Sequence, residues 1–343
     1  MRVASAATST SLRLAYGAMA GPSARRSFAT TSRFMKAYGF IGLGRMGWPM
    51  AKNLRAKIGK SDTLIVYDVS SDAVQKLQKE ADGEVEAAKS VREVAEKAET
   101  ILTALPEPHH VQKVYSEMLE PATLRTEAPN KNERLLIDCS TIDPKTSEEV
   151  TEKVLSSGAG KFCDAPMSGG VVGATNATLA FMVGCPDEMV DRVKEVLGLL
   201  GRRVIHMGPP TSGLKGKLAN NYLLALNNIA TCEAMNMGIK WGLDGKVLAE
   251  LINNATGKCW PSESNNPVPG VLEVAPANRD YEGGFGTALM AKDLGLALTA
   301  LEQADLKPVL GQHAQEVYKA VQQDDKCKNR DFSVVYRWLG GKE

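Results

Sequence analysis

The sequence predicts an α/β N-terminal domain, an all-α C-terminal domain and a long interdomain helix joining them. Three observations lead there. Between Tyr38 and Gly208, short apolar runs alternate with helical stretches, as βα units do on a mostly parallel sheet. From Gly213 to Gly242 a proline-free stretch carries apolar side chains at helical spacing. A helix of that length spans ~43 Å, enough to join two domains. Beyond it the patterns are all helical, near 244–255, 286–303 and 308–323. The chain has 343 residues, which suits two domains. The expected division is 1–34 as a leader, 36–208 as the sheet domain and 209–343 as the helical domain.

Residues 1–34 differ from the rest. They hold five arginines (2, 13, 25, 26 and 33), no lysine and no acid, and the first acidic residue is Asp62. Arg13, Gly17 and Gly21 interrupt the apolar stretch that a secretory signal needs. The composition is that of a mitochondrial transit segment, and the expected location is the mitochondrial matrix. Losing five positive charges takes the net charge from +1 to −4. Such a chain gives no reason to expect nucleic-acid binding. With no run of 18 apolar residues, no membrane span is expected. The cysteines (139, 163, 185, 232, 259 and 327) show no CxxC pair and read as reduced thiols, and no metal site is expected.

The run Tyr38–Ile41 reads as a buried strand. Gly42-Leu43-Gly44-Arg45-Met46-Gly47 follows, then a helical stretch from about Arg45 to Lys57. Gly42 permits the tight turn, Gly44 lets a pyrophosphate approach the helix N-terminus, and Gly47 lets helix and strand pack closely. A second strand, TLIVYD, ends in Asp68, 21 residues after Gly47. A carboxylate there accepts hydrogen bonds from an adenosine ribose and repels a 2′-phosphate. The combination predicts a Rossmann domain that binds NAD in preference to NADP.

Ser90 opens the next helix. TILTALPEP reads as a strand running into a proline-rich loop, and RLLIDCSTIDP as a strand ending in Asp138, Ser140 and Thr141. FCDAPMSGG reads as another strand, ending in Ser168-Gly169-Gly170; TLAFMVG and RVIHMG continue the sheet. Leu105-Pro106, Ser140-Thr141 and Ser168–Gly170 are strand-end loops, and such loops line the ligand crevice of these sheets.

In the second half, TSGLKGKLANN holds two lysines. Lys215 and Lys217 point about 200° apart on a helix. Lys217 has Asn220 at i+3 and Asn221 at i+4, while Lys215 has Leu218 and Ala219. If one lysine is held by polar neighbours it is Lys217; two solvated lysines fit this stretch as well. GKCWPSESNNPVPGV is too rich in proline and asparagine for a helix. Lys292 and Asp293 fall inside a helical pattern, where a snorkelling surface lysine is an equal reading. The four histidines (109, 110, 206 and 313) show no metal spacing and no obvious carboxylate partner, which moves the proton-transfer role toward Lys217.

These motifs together resemble the β-hydroxyacid dehydrogenase family, and within it the hydroxyisobutyrate branch. The resemblance covers about residues 37–339 and rests on GFIGLGRMGWPMAKNL, LLIDCSTIDP, DAPMSGG, Lys217–Asn221, CWPSESNNPVPGV and GGFGTALMAKDLGLA. It implies a site between the two domains. The family's catalytic lysine falls on Lys217 and its substrate-contacting asparagine on Asn221. Its carboxylate-holding loop falls on Ser168, Gly169 and Gly170. Leu105, Pro106, Thr141 and Lys292 fall at cofactor-facing positions, beside Gly42, Leu43, Gly44, Met46, Gly47 and Asp68. Four departures stand out. Thr211 and Ala177 replace usual glycines, Lys215-Gly216 replaces two small residues, and His110 replaces an asparagine.

The expected activity is NAD-dependent oxidation of 3-hydroxyisobutyrate to methylmalonate semialdehyde, a step of valine breakdown. Its partners would be a small 3-hydroxy acid and further copies of itself, two or four in all. One rival is a related reductase acting on tartronate semialdehyde or glyoxylate. The other is a nucleotide-binding interaction module without chemistry, against which the presence of Lys217 argues.

Overall fold

A computed structural model describes residues 36–120 and 134–343 of the chain. The proposed leader lies outside the described residues. The first part runs β1 (Ala37–Ile41), α1 (Gly47–Lys57), β2 (Thr63–Tyr67), α2 (Ser71–Glu80), β3 (Val85–Ala87), α3 (Val91–Lys97), β4 (Thr100–Thr103) and α4 (Pro108–Leu119). It continues β5 (Leu135–Asp138), α5 (Pro144–Ser156), β6 (Lys161–Asp164), β7 (Met167–Ser168), α6 (Gly170–Thr175), β8 (Leu179–Gly184), α7 (Val190–Leu197) and β9 (Gly201–Gly208). The second part is helical: α8 (Ser212–Lys240), α9 (Gly245–Asn254), α10 (Trp260–Ser264), α11 (Thr287–Gln303), α12 (Gly311–Gln323) and α13 (Val335–Trp338).

One sheet holds all the strands of the described residues, in the order β3-β2-β1-β4-β5-β6-β8-β7, with β9 on β8. The six strands from β3 to β6 are parallel, in the doubly wound order of a Rossmann sheet. The strands are buried on both faces because successive side chains point to opposite sides. Phe40, Leu64, Val66 and Ile137 pack against α1, α2 and α7. Ile41, Ile65 and Leu136 pack against α3, α4 and α5. A separate core of Ala225, Met235, Leu294, Tyr318 and Phe332 holds the helical part.

Three details depart from the sequence reading. FCDAPMSGG is two strands: Pro166 interrupts it, and β7 then pairs antiparallel with β8 while β6 meets β8 at Asp164↔Gly184. The proline-rich loop after β4 gives way to α4, whose first residue is Pro108; proline lacks an N–H that the first turn would leave unpaired anyway. The CWPSESNNPVPG segment begins with the short helix α10. There Pro261 again sits in the first turn, and Ser262 Oγ accepts the Cys259 N–H in a capping box.

Candidate active site

The glycine turn after β1 is shaped by contacts that exclude side chains. Gly42 has φ +96°, and a Cβ there would collide with the Ala104 carbonyl; one on Gly47 would collide with the Gly42 carbonyl. At Gly44 the space is open, with no atom within 4 Å of a Cβ position. The N-terminus of α1 has no side-chain cap. A groove of about 650 Å³ opens beside Gly44, with Arg45, Lys52 and Lys76 among its lining residues. This is a backbone that a pyrophosphate can reach, in a groove whose lining sets those three bases against the acids Glu80 and Asp82. Asp68, just past β2, accepts hydrogen bonds from the Leu43 N–H (2.5 Å) and the Ser70 N–H (2.7 Å). Each carboxylate oxygen keeps a lone pair for a ribose hydroxyl. The residues present therefore fit a dinucleotide.

The loops after β4 and β5 are fixed by a buried carboxylate. Asp138 Oδ1 accepts from Thr103 Oγ1 (2.7 Å), from Ser140 Oγ (2.6 Å) and from the Ser140 N–H (3.1 Å). Ser140 Oγ in turn accepts the Leu105 N–H at 2.9 Å. Burial raises the Asp138 pKa above the usual carboxylate value, and the Ser140 and Thr103 bonds oppose that rise. The network holds Leu105-Pro106 and Ser140-Thr141 side by side at the carboxyl edge of the sheet.

The start of α8 is held in a similar way. Asp164, at the end of β6, accepts the Thr211 N–H (2.7 Å) with one oxygen and the Leu214 N–H (2.8 Å) with the other. Burial pushes its pKa up to about 6, against those two bonds. Thr211 is buried and left-handed, with φ +74° and an unpartnered buried hydroxyl. A β-branched residue is strained there. Ala177, in the turn before β8, is also left-handed, with φ +51°. The two departures from the family's glycines thus fall where glycine is the unstrained residue.

The two lysines separate as the helical wheel requires. Lys215 is exposed and Lys217 is 7% exposed. Burial lowers the Lys217 pKa below the ordinary lysine value; the Asp293 charge raises it and the Lys292 charge lowers it. Asn221, one turn on, is buried and donates to Asp293 Oδ2 at 2.7 Å. Asn220 is exposed and donates to Asn221 Oδ1 at 3.1 Å. The wheel explains this: i+4 lies about 40° from Lys217, and i+3 about 60° on the other side. Asp293 stands out only once α11 is packed on α8; in the sequence it is one acid in a helical run.

Lys292 crosses to the sheet domain. Its Nζ donates to the Thr141 carbonyl (2.7 Å) and the Pro106 carbonyl (3.1 Å), and lies 3.3 Å from Asp293 Oδ1. The snorkelling alternative does not hold, since the side chain is only 17% exposed and its ammonium is held by two backbone carbonyls. Lys292, Pro106 and Thr141 are thus brought together, and Asn221 joins them through Asp293. Ser168 lies on β7, while Gly169 (φ +129°) and Gly170 (φ +60°) carry the chain into α6. Asn53 of α1 donates to the Ala174 and Thr175 carbonyls and ties that segment to the glycine-turn helix. Among the described residues no cluster of His, Cys, Asp or Glu could hold a metal ion.

Comparisons with known proteins agree with this geometry. Residues 37–208 match the family described as the NAD binding domain of 6-phosphogluconate dehydrogenase. Residues 211–339 match the one described as NAD-binding of NADP-dependent 3-hydroxyisobutyrate dehydrogenase. The mitochondrial 3-hydroxyisobutyrate dehydrogenase of Rattus norvegicus is 44% identical over 308 residues, covering 89% of this chain and 87% of that protein. The NAD-dependent L-serine dehydrogenase of Pseudomonas aeruginosa is 40% identical over 303 residues, covering 88% and 97%. Among solved structures, the 3-hydroxyisobutyrate dehydrogenase of Mycobacterium tuberculosis with L-serine is 36% identical, with a TM-score of 0.80, covering 89% of this chain and 99% of that one.

Proposed function

The chain belongs to the 3-hydroxyisobutyrate dehydrogenase family, and on that premise we propose how its residues carry out the reaction. It is an NAD-dependent oxidoreductase. The substrate assigned to it is 3-hydroxyisobutyrate, oxidised to methylmalonate semialdehyde in valine breakdown. The observation that carries the assignment is Lys217: a lysine buried one helical turn from Asn221, with its pKa lowered mainly by burial.

The reacting carbon is a primary alcohol two bonds from the carboxyl carbon. NAD, held by the glycine turn and Asp68, would supply the hydride acceptor for that carbon. Lys217, in its neutral form, takes the hydroxyl proton; burial favours that form, since a free lysine has a pKa of about 10.4. Asn221, braced by Asp293, orients the hydroxyl. Backbone N–H groups of Ser168, Gly169 and Gly170 hold the carboxylate. Gly42, Leu43, Gly44, Met46 and Gly47 take the pyrophosphate, and Asp68 the adenosine ribose. Leu105, Pro106, Thr141 and Lys292 border the nicotinamide end. Residues 36–208 are taken as the NAD-binding domain and 209–343 as the helical one, a division that the matches at 37–208 and 211–339 support.

A second substrate reading rests on the L-serine dehydrogenase relative and the structure with L-serine. Serine shares the carboxylate and the primary alcohol and differs at the carbon between them. Steady-state rates with NAD and NADP on 3-hydroxyisobutyrate, L-serine and tartronate semialdehyde decide. The largest kcat/KM on 3-hydroxyisobutyrate with NAD is expected, and a preference for either other substrate overturns the assignment.

Two further readings accompany it. Relatives named mitochondrial and the acid-free residues 1–34 support delivery to the mitochondrial matrix. A fluorescent passenger fused to that segment should reach the matrix; one that stays in the cytosol contradicts this. A homo-oligomer of two or four copies is supported by exposed Val247 and Leu251, four apart on α9, with exposed Met237, Trp241 and Leu243 shortly before them in the chain. Light scattering of the purified protein checks it, and a monomer mass refutes it.

A further inference from the structure

We propose that Asp164 fixes the distance between the two anchors of the substrate, and thereby selects 3-hydroxy acids over longer hydroxy acids. The inference rests on the reading above, in which Ser168–Gly170 hold the carboxylate and Lys217 the hydroxyl. Asp164 is a positioning residue in this account and touches no substrate.

The argument is one of connection. Three residues separate Asp164 from Ser168, and that short run is held on both sides: the Ala165 N–H donates to the Asp138 carbonyl and the Met182 N–H to the Pro166 carbonyl. On its other side, the Asp164 carboxylate grips the first turn of α8 by two N–H groups, with Lys217 three residues beyond Leu214. Both anchors are therefore referred to one residue.

The grip leaves no slack. A Cβ on Gly184 or Gly213 would collide with the Asp164 carboxylate, and one on Gly213 also with the Met182 carbonyl. Helix and sheet meet backbone to backbone and cannot slide. Thr211 holds a left-handed conformation at the same junction, with its N–H on Asp164. The two N–H bonds each have charge assistance, and a carboxamide could keep one of them at most.

The test compares two substrates that share a carboxylate and a primary alcohol but differ in the span between them, 3-hydroxyisobutyrate and 4-hydroxybutanoate. In Asp164→Asn, kcat/KM on 3-hydroxyisobutyrate should fall by about 10²-fold, the scale of an ångström of misplacement. On 4-hydroxybutanoate the fall should be smaller, so that the ratio of the two narrows about tenfold or more. The primary deuterium isotope effect on kcat should rise, since hydride transfer from a misaligned alcohol becomes slower than the other steps. A loss of folded protein would move neither the ratio nor the isotope effect. Asp164→Glu keeps the charge and both acceptors but lengthens the arm, and should shift the ratio the same way, which keeps the test usable if the Asn variant does not fold. Equal losses on both substrates, or no loss, overturn the inference. If Lys217→Ala keeps full activity, the underlying reading fails; if Lys217→Ala is inactive and the Asp164 ratio does not move, this inference alone fails.

Discussion

Two helix starts lie at the carboxyl edge of the same sheet, and they use their N–H groups differently. The start of α1 has a glycine turn, no side-chain cap and open space at Gly44. The start of α8 has Thr211 in a left-handed turn, and the Asp164 carboxylate already sits on its N–H groups. A helix N-terminus attracts an anion in either case. At α1 the anion, in the function proposed above, is the dinucleotide's; at α8 the protein supplies it from β6. The first junction is built for exchange and the second for permanence. Lys217, the proton acceptor proposed above, stands on the second, the junction of fixed position.

The largest expected effect tests the chemistry borne by the permanent junction. Lys217→Ala should lower kcat by about two to four orders of magnitude, the usual range for losing a general base. Its affinity for NAD, by fluorescence titration, should change little. In the unaltered enzyme kcat/KM for oxidation should rise with pH through one ionisation. The sign follows from the neutral amine being the active form: below its pKa the lysine is charged and cannot accept a proton. Burial lowers that pKa, so the limb should lie below the ordinary lysine range, and Lys217→Ala should lose it.

A smaller change tests the exchangeable junction. Asp68→Ala removes the ribose acceptor proposed above, and also the acceptor of the Leu43 and Ser70 N–H groups. Hydrogen bonds to a charged group are worth roughly 1.5–3 kcal/mol, so kcat/KM with NAD should fall roughly ten- to a hundredfold. The rate with NADP should fall less, and the preference should narrow. Equal kcat/KM with both cofactors before any mutation would rule the idea out.

The junctions also differ in strain. Thr211→Gly relieves a left-handed β-branched residue and removes a buried unpartnered hydroxyl. It should stabilise the fold by about 1 kcal/mol in denaturant unfolding, after the extra freedom of glycine in the unfolded chain is offset. Ala177→Gly should gain less, because alanine has no branch to strain and no hydroxyl to bury. A Thr211→Gly protein less stable than its parent contradicts the strain assigned here. The smallest effect is that of Lys215→Ala. Exposed and opposite Lys217, it should leave kcat within about a few-fold. An inactive Lys215→Ala beside an active Lys217→Ala would mean that the helix register is misassigned.

The comparison also shows what a sequence displays. The glycine turn is legible because its parts are local: Gly42, Gly44 and Gly47 lie within six residues, between a strand and a helix. That Lys217 and Asn221 share one face is legible for the same reason, through one helical turn, and both are buried. The Asp164 grip is hidden because its partners are 47 and 50 residues away. Asp293 is hidden from Asn221 by 72 residues, and Lys292 from its carbonyl partners by 186 and 151. Periodicity marks which faces are apolar and cannot say which helix will cover them. Composition misleads at Pro108 and Pro261, where proline begins a helix and does not forbid one.

The unbroken length of α8 has a mechanical consequence. A rod clamped at one end is a lever, and each point on it moves in proportion to its distance from the pivot. With a rise of ~1.5 Å per residue, Lys217 lies ~7 Å from the clamped start, Asn221 ~13 Å and the far end ~43 Å. A tilt of ~5° about the pivot carries the far end through ~4 Å, Asn221 through ~1 Å and Lys217 through ~0.6 Å. Any tilt of α8 about this clamp therefore displaces Lys217 about half as far as Asn221 and far less than the helix end.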